Sequence, residues 1–273
     1  MKQANQARGY TLALMVGNTN TVVGVFADDR FESKSRLETR LGRTADEYGL
    51  WLLEMLHRQG IRPDFVTGVV VGSVMPQITT VLKSMASRYF KVDPVVVEQG
   101  VKTGIETSYG QGLGADRMAN LVAALHLFPT PLVVIDFGLH TSLDVVDAKG
   151  HYLGGVVTGG ELLLQQTLME RIALVPALSM ERPREVIGRE IVHSVQSGTY
   201  WGTVAMVEGL VKRIWAQVGQ TGKLIATGGF AHDLAGDLPF DAVDTNLSLT
   251  GLKLIFNRQQ AKGSGMNKRN PAS

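Results

Sequence analysis

One short turn is written into this chain twice. Residues 15–21 read MVGNTNT and residues 136–142 read DFGLHTS. Each follows an apolar run (residues 11–14 and 132–135) and leads into a second strand-like run (residues 22–26 and 143–146). A strand–turn–strand unit of this kind can wrap phosphate oxygens with backbone N–H groups and hydroxyls. Two of them, about half a chain apart, point to a duplicated fold with a nucleotide between its halves. In the first copy Gly17 is followed by the amides Asn18 and Asn20 and the hydroxyls Thr19 and Thr21. An ordinary Asn- and Thr-rich β-turn has the same composition, and the echo at Gly138, Thr141 and Ser142 favours phosphate binding over it. Each copy is incomplete. Met15 stands where a metal-linked carboxylate would be useful, and Leu139 and His140 stand where small hydroxyl residues would be.

The remaining pattern repeats on the same scale. Residues 11–26 read as a hairpin, extended by residues 31–36. Thr44 and Glu47 form a capping-box signature ahead of Tyr48, Leu50, Leu52, Leu53 and Leu56. Residues 65–71 read as a buried strand, a helix follows Pro76, and residues 95–97 centre another strand. A glycine-rich loop at 99–114 leads to a helix over 115–128. A second hairpin (132–146), a strand (152–157), helices at 162–171 and 191–217, a strand at 224–226 and a closing helix at 249–256 complete the chain. Strand hairpins followed by strand–helix alternation, twice, predict an α/β protein of two similar lobes. The expected division is 11–130 and 131–258, with a disordered tail at 259–273.

Composition narrows the chemistry. The 273 residues are 44% apolar and 19% charged, enough core-forming material for a globular fold. A net charge of +2 favours neither nucleic acid nor a membrane surface. With no cysteine, disulfides and thiolate chemistry are excluded. Six scattered histidines show no zinc-binding spacing. The polar first ten residues lack a signal-peptide core, and no run approaches the roughly 20 residues that span a bilayer. A cytoplasmic protein is the expectation.

Three further segments carry chemistry. Gly114-Ala115-Asp116-Arg117 stands where a loop enters a helix. Asp116 is either a first-turn acid favoured by the helix dipole or a general base, with Arg117 as an anion binder. Thr227-Gly228-Gly229 ends a strand and is either a tight turn or a place for close approach of an adenosine. Tyr200, Trp201, Val204, Val207, Val211 and Ile214 form a core stripe at helical spacing, whose aromatic end could meet another subunit.

These segments, in this order, resemble the type III pantothenate kinases of the sugar kinase/actin-like ATPase superfamily. The matching stretches include VGNTNTVVGVF, GRTADEYG, GSVMP, GADRMAN, VIDFG, LDVVDAKGHYLGG, QSGTYWG, VEGLVKRI, ATGGFA and LTGLKLIFNR, spread over about residues 12–258. The resemblance implies two ribonuclease-H-like lobes with a cleft between them, a homodimer, and the reaction of ATP with pantothenate to give 4′-phosphopantothenate, the first step to coenzyme A. It implies that Gly17 to Thr21, with Gly138 and Thr141, hold ATP phosphates with Mg²⁺, and that Gly228 and Gly229 meet the adenosine. Asp116 would be the base; Tyr109 and Gly114 to Arg117 would contact pantothenate. Asp136 would help bind a monovalent cation, K⁺ or NH₄⁺.

The departures from the family pattern cluster on that site. Met15 replaces the family aspartate, and Leu139 and His140 alter the second turn. Gly159-Gly160 replaces Pro-Gly. Ile172 and Leu174 replace a hydroxyl and a lysine, and Ile191 replaces a threonine. Phosphoryl transfer rests on positioning and charge stabilisation. A thioether does not ligate Mg²⁺, and losing one preorganised electrostatic group costs about 3–4 kcal/mol of transition-state stabilisation. The expectation is therefore a pantothenate kinase-like protein whose own activity is weak or lost. The rival expectation is a non-catalytic binding or regulatory subunit that pairs with an intact kinase chain as a heterodimer.

Overall fold

The computed structural model describes residues 9–98, 101–107, 109–110, 112–171 and 181–266. In chain order the strands are β1 (Tyr10–Val16), β2 (Asn20–Ala27), β3 (Arg30–Glu38), β4 (Val66–Ser73), β5 (Val95–Val97), β6 (Glu106–Thr107), β7 (Leu132–Phe137), β8 (His140–Val146), β9 (His151–Gly159), β10 (Lys223–Gly228) and β11 (Ala242–Val243). The helices are α1 (Ala45–Arg58), α2 (Pro76–Met85), α3 (Ala115–Leu127), α4 (Glu161–Arg171), α5 (Ile191–Val218), α6 (Ala231–Leu234) and α7 (Leu247–Met266). No helix among the described residues is long and apolar enough to cross a membrane.

The chain divides into two compact units. The first draws on residues 1–104, 110–123 and 247–273, the second on 105–109 and 124–246. In the first unit the strand order is β3-β2-β1-β4-β5. Strands β1, β2 and β3 form an antiparallel meander, and β4 and β5 join it in parallel. In the second unit the order β9-β8-β7-β10-β11 repeats this wiring strand for strand, with β6 added at the β9 edge. The duplication expected from the two turns is thus present in the hydrogen-bonded topology.

Strand β1 is buried at every residue. That is the signature of a strand covered on both faces. Leu12, Leu14 and Val16 pack on one face with Tyr48 and Leu52 of α1 and Leu82 of α2. On the other face the glycines of β2 and β4 lie against α7: a Cβ on Gly68 would meet the Phe256 ring, and one on Gly24 would meet Leu249. Helix α1 starts as predicted. Thr44 Oγ1 accepts the Glu47 N–H at 3.2 Å while Glu47 Oε2 accepts the Thr44 N–H at 2.7 Å.

In the second unit Val133, Ile135 and Phe137 of β7 and Leu143 and Val145 of β8 face Tyr200, Val204, Val207 and Ile214 of α5. The stripe on α5 is core, as its spacing predicts.

Two boundaries differ from the expected ones. The division runs through α3, whose last turn belongs with the second unit. Helix α7 groups with the first unit and continues to Met266 instead of fraying after residue 258. At residues 258 and 259 the helix is tied to the loop before β6: Arg258 donates to the Thr103 carbonyl, and Gln259 Nε2 donates to the Lys102 carbonyl at 3.3 Å. The remaining tail, 267–273, lies outside the described residues.

Candidate functional site: two glycine turns and the start of helix α3

The first turn is built by β1 and β2, closed by the pair Val16↔Thr21. Gly17 N–H donates to the Asn20 carbonyl at 2.9 Å, and Asn20 Nδ2 donates to Thr19 Oγ1 at 3.1 Å. Asn18 is exposed, and Gly17, Thr19 and Asn20 are half-buried. Thr21 is different. Paired with Val16, it shares the core face of β2 with Val23 and Val25, is 0% exposed, and lies 3.0 Å from Thr39 Oγ1. The structure therefore puts Gly17 to Asn20 at the surface of the turn and Thr21 beneath it.

Met15 is 6% exposed. It pairs with Gly72 of β4, where an added Cβ would come within 3.0 Å of Met15 Cε and 2.9 Å of Leu252 Cδ2. Methionine and leucine thus fill the space over Gly72 as an apolar plug. Small residues on β4 make room for it.

The second turn is tighter. Its closing pair is Phe137↔Thr141, enclosing residues 138–140, against residues 17–20 in the first. Gly138 N–H donates to the His140 carbonyl at 3.1 Å. Leu139 and His140 are half-buried, and Thr141, facing the Phe137 side, is 0% exposed. Behind the turn, Gly160 N–H donates to the Leu139 carbonyl at 3.1 Å. A Cβ on Gly160 would stand 2.4 Å from the Gly138 carbonyl oxygen, so only glycine fits there.

Asp136, next to last in β7, is on the opposite face, half-buried beside Gly228. Gly228 has φ +94, and a Cβ there would lie 2.6 Å from Asp136 Oδ1 and 2.4 Å from the Phe137 carbonyl oxygen. Gly229 N–H donates to that carbonyl at 2.8 Å. Asp136, Gly138, Gly228 and Gly229 are therefore one cluster, held by the β7–β10 pairing.

Helix α3 begins at Gly114, whose carbonyl accepts the Met118 N–H at 2.9 Å. Asp116 is half-buried, and its Oδ1 accepts the Arg117 N–H at 2.8 Å while folding back over Gly114. This bond supplies a partner for a first-turn amide. The other carboxylate oxygen is not used by it. Ala115 is 4% and Arg117 8% exposed.

Tyr109 belongs to the second unit. Its N–H donates to Thr107 Oγ1 at 2.8 Å, and its ring lies 5.3 Å from that of Tyr152. With Leu153, Ile214 and Val218 it lines a groove of about 420 Å³. Ile191 opens α5 and is exposed. Ile172 and Leu174 lie outside the described residues.

The aromatic end of α5 is closed within its own unit. Arg182 grips Asp237 through two bonds of 2.6 and 2.8 Å and covers the Trp201 ring at 5.0 Å. The Tyr200 hydroxyl lies 2.7 Å from Asp237 Oδ2. Burial, then the Asp237 bond, push the Tyr200 phenol up to about 12. The Arg182 and Tyr200 bonds hold the Asp237 carboxyl down at about 2.

Sequence reasoning passed over one residue of interest, Glu161. A glutamate in the first turn of a helix reads as a dipole-favoured surface acid, but here it is 1% exposed, and burial raises its carboxyl pKa.

The donor sets differ in what they could hold. The side chains of Met15 and Leu252, and Gly72 with none, offer no side-chain oxygen for a hard ion such as Mg²⁺. Among the described residues no group of three His, Asp or Glu side chains comes together as a metal site. The Asp136 carboxylate lies among glycines, with the Phe137 carbonyl beside it.

Solved structures share the whole architecture at low identity. A protein described as a Baf family transcriptional activator from Campylobacter jejuni superposes with a TM-score of 0.58 at 17% identity, over 92% of this chain and 99% of its own. Component A of the (R)-2-hydroxyglutaryl-CoA dehydratase of Acidaminococcus fermentans gives 0.56 at 14% identity, over 93% and 99%. A reductive activator for a corrinoid, iron–sulfur protein gives 0.53 at 13%, over 95% and 62%. These likenesses fix the fold as two-lobed and actin-like. The sequence itself matches the type III pantothenate kinase family over residues 11–213. With its paired glycine turns, repeated sheet wiring and GADR helix start, this chain belongs to the type III pantothenate kinase family.

Proposed function

We propose that this chain is a pantothenate kinase-like protein that binds ATP and pantothenate while its own phosphoryl transfer is weak or lost. The observation that carries this reading is the apolar plug of Met15 and Leu252 over Gly72. A kinase of this fold needs charge-stabilising ligands at the phosphates, and each one removed costs roughly 10²–10³ in rate. The N–H groups that follow Gly17 and Gly138 in the turns would be the phosphate donors, with the side chains of Asn18, Thr19 and Asn20 beside the first. Thr21 and Thr141 serve the reading from beneath their turns. Gly228 and Gly229 take the adenosine, and Asp136 takes a monovalent cation. Asp116 keeps an oxygen for the pantothenate hydroxyl, with Gly114, Ala115, Arg117 and Tyr109 around the substrate. The product would be 4′-phosphopantothenate, for coenzyme A synthesis in the cytoplasm.

Calorimetric titration with ATP, with and without Mg²⁺ and pantothenate, tests the binding half. ATP affinity that barely responds to Mg²⁺ is expected. Turnover assays at high enzyme concentration test the other half. Robust, Mg²⁺-dependent formation of phosphopantothenate by the pure chain would overturn the reading.

A second reading, pairing with an intact kinase chain, is favoured by one observation. Leu153 and Val157 of β9 and Leu163 and Leu164 of α4 are exposed. Sedimentation of the chain alone and mixed with an intact family member separates a homodimer from a heterodimer.

A further inference from the structure

Strand β9 runs nine residues, but its outer neighbour β6 pairs with only His151 and Tyr152. Among the described residues no strand lies along that edge from Leu153 onward. Just past β6, the Tyr109 N–H donates to Thr107 Oγ1 at 2.8 Å. The Tyr109 ring lies over Gly154, where an added Cβ would stand 3.6 Å from Tyr109 Cδ2. The space beside this bare edge is the groove of about 420 Å³. Ile214 and Val218, at the C-terminal end of α5, close its far side. A volume of that order, with one mouth and apolar walls, is what a small molecule fills.

The polarity of the groove decides what kind. Among the described residues that line it, none is charged, and the polar side chains are Tyr109 and Gln217. At Gly154 and Gly155 the main chain has no side chain over it, and an edge strand points N–H and C=O groups away from the sheet. Those groups, with a Gln217 amide that can present either end, match the donor and acceptor of an amide. Pantothenate carries one amide in its middle and a carboxylate at its end. That carboxylate would find no cation in this groove, and burying a charge without a partner is costly.

We propose that this groove takes the acceptor as a neutral amide, with the carboxyl end of pantothenate carried as an N-alkyl amide; the proposal rests on the reading that Tyr109 contacts the acceptor. The added amide lies along the bare edge at Gly154 and Gly155, with Gln217 opposite. The alkyl group packs on Val156, Ile214 and Val218. Selectivity comes from what the groove lacks: with no cation, it favours the neutral ligand over the free acid.

Calorimetric titration of the full chain with pantothenate, its N-butyl amide and N-butylacetamide tests this. Each methylene buried strengthens binding about fourfold, so the N-butyl amide of pantothenate should bind roughly 10–100-fold more tightly than pantothenate. Pantothenate binding as tightly as its amide overturns the proposal and leaves the Tyr109 reading standing. Binding of neither removes that reading and the proposal with it. N-Butylacetamide binding as tightly as the full amide also overturns it, because the groove would then take any apolar amide. Gln217→Lys puts a cation into the groove from an exposed position in the last turn of α5, where the helix dipole favours positive charge. It should cut the preference for the amide about tenfold by strengthening pantothenate binding; an unchanged ratio overturns the proposal.

Discussion

The two glycine turns share strand wiring but differ in what lies beneath them. Under the first, Thr21 shares its hydroxyl with Thr39, and the neighbouring strand end is filled by Met15 and Leu252. Under the second, Thr141 completes no hydrogen bond among the described residues, a carboxylate stands at Asp136, and Glu161 is buried close behind. The first turn has a polar rim and an apolar strand end. The second has a charged strand end and carries Leu139 and His140 on its rim. Duplicated topology holds both backbones in place, so the two side-chain sets differ while both turns keep their hydrogen bonds.

The largest expected effect concerns the start of α3. Activity is first restored with Met15→Asp and Leu139→Thr together. In that background Asp116→Asn should lower transfer by about 10²–10⁴ if Asp116 is the base. The melting point should stay unchanged, because asparagine still accepts the Arg117 N–H. A fall in stability instead would make Asp116 a helix-start residue only.

Met15→Asp by itself comes next. It buries a carboxylate against Leu252, and should cost about 3 kcal/mol of stability, or roughly 6–10 °C in melting temperature. If Mg²⁺ and ATP together restore the loss, the first turn has regained a metal ligand. If nothing restores it, the plug is structural.

Asp237→Asn probes the second unit away from its turn. It should lower the melting temperature at pH 7 by a few degrees. The Asp237 carboxyl is held at about 2 in the fold, below its ordinary value. Its contribution is therefore complete above about pH 4 and is lost as pH falls towards 2. Wild type and variant should melt alike at the acid end, which thermal scans across that range would check.

The smallest effect bears most directly on the two turns. Thr21→Val removes a shared hydrogen bond and should cost about 1 kcal/mol. Thr141→Val should be neutral or slightly stabilising. Equal losses at the two positions would mean that the interiors of the turns are alike after all.

Much of this architecture was legible beforehand. The capping box at Thr44 and Glu47, the short β-branched strands and the α5 stripe each carry a local signal, and each formed where expected. The short elements β6, β11 and α6 have too few residues for any periodicity to show. Counting from each glycine aligns Thr21 with Ser142. The closing pairs instead align Thr21 with Thr141, because the second hairpin is one residue tighter. Strand register decides which side chains face the core, and loop length decides register. Glu161 was equally opaque: a first-turn acid has one appearance in sequence whether it meets water or threonines.

The sequence by itself determined the duplicated α/β fold and its family, since these depend on residue order and local propensity. Tertiary structure alone decided that Met15 is plugged by Leu252, that Thr21 and Thr141 lie beneath their turns, that α7 packs with the first unit and that Glu161 is buried. The reason is physical. Burial and hydrogen-bond partners come from elements distant in the chain, and a side chain's chemistry follows from what surrounds it.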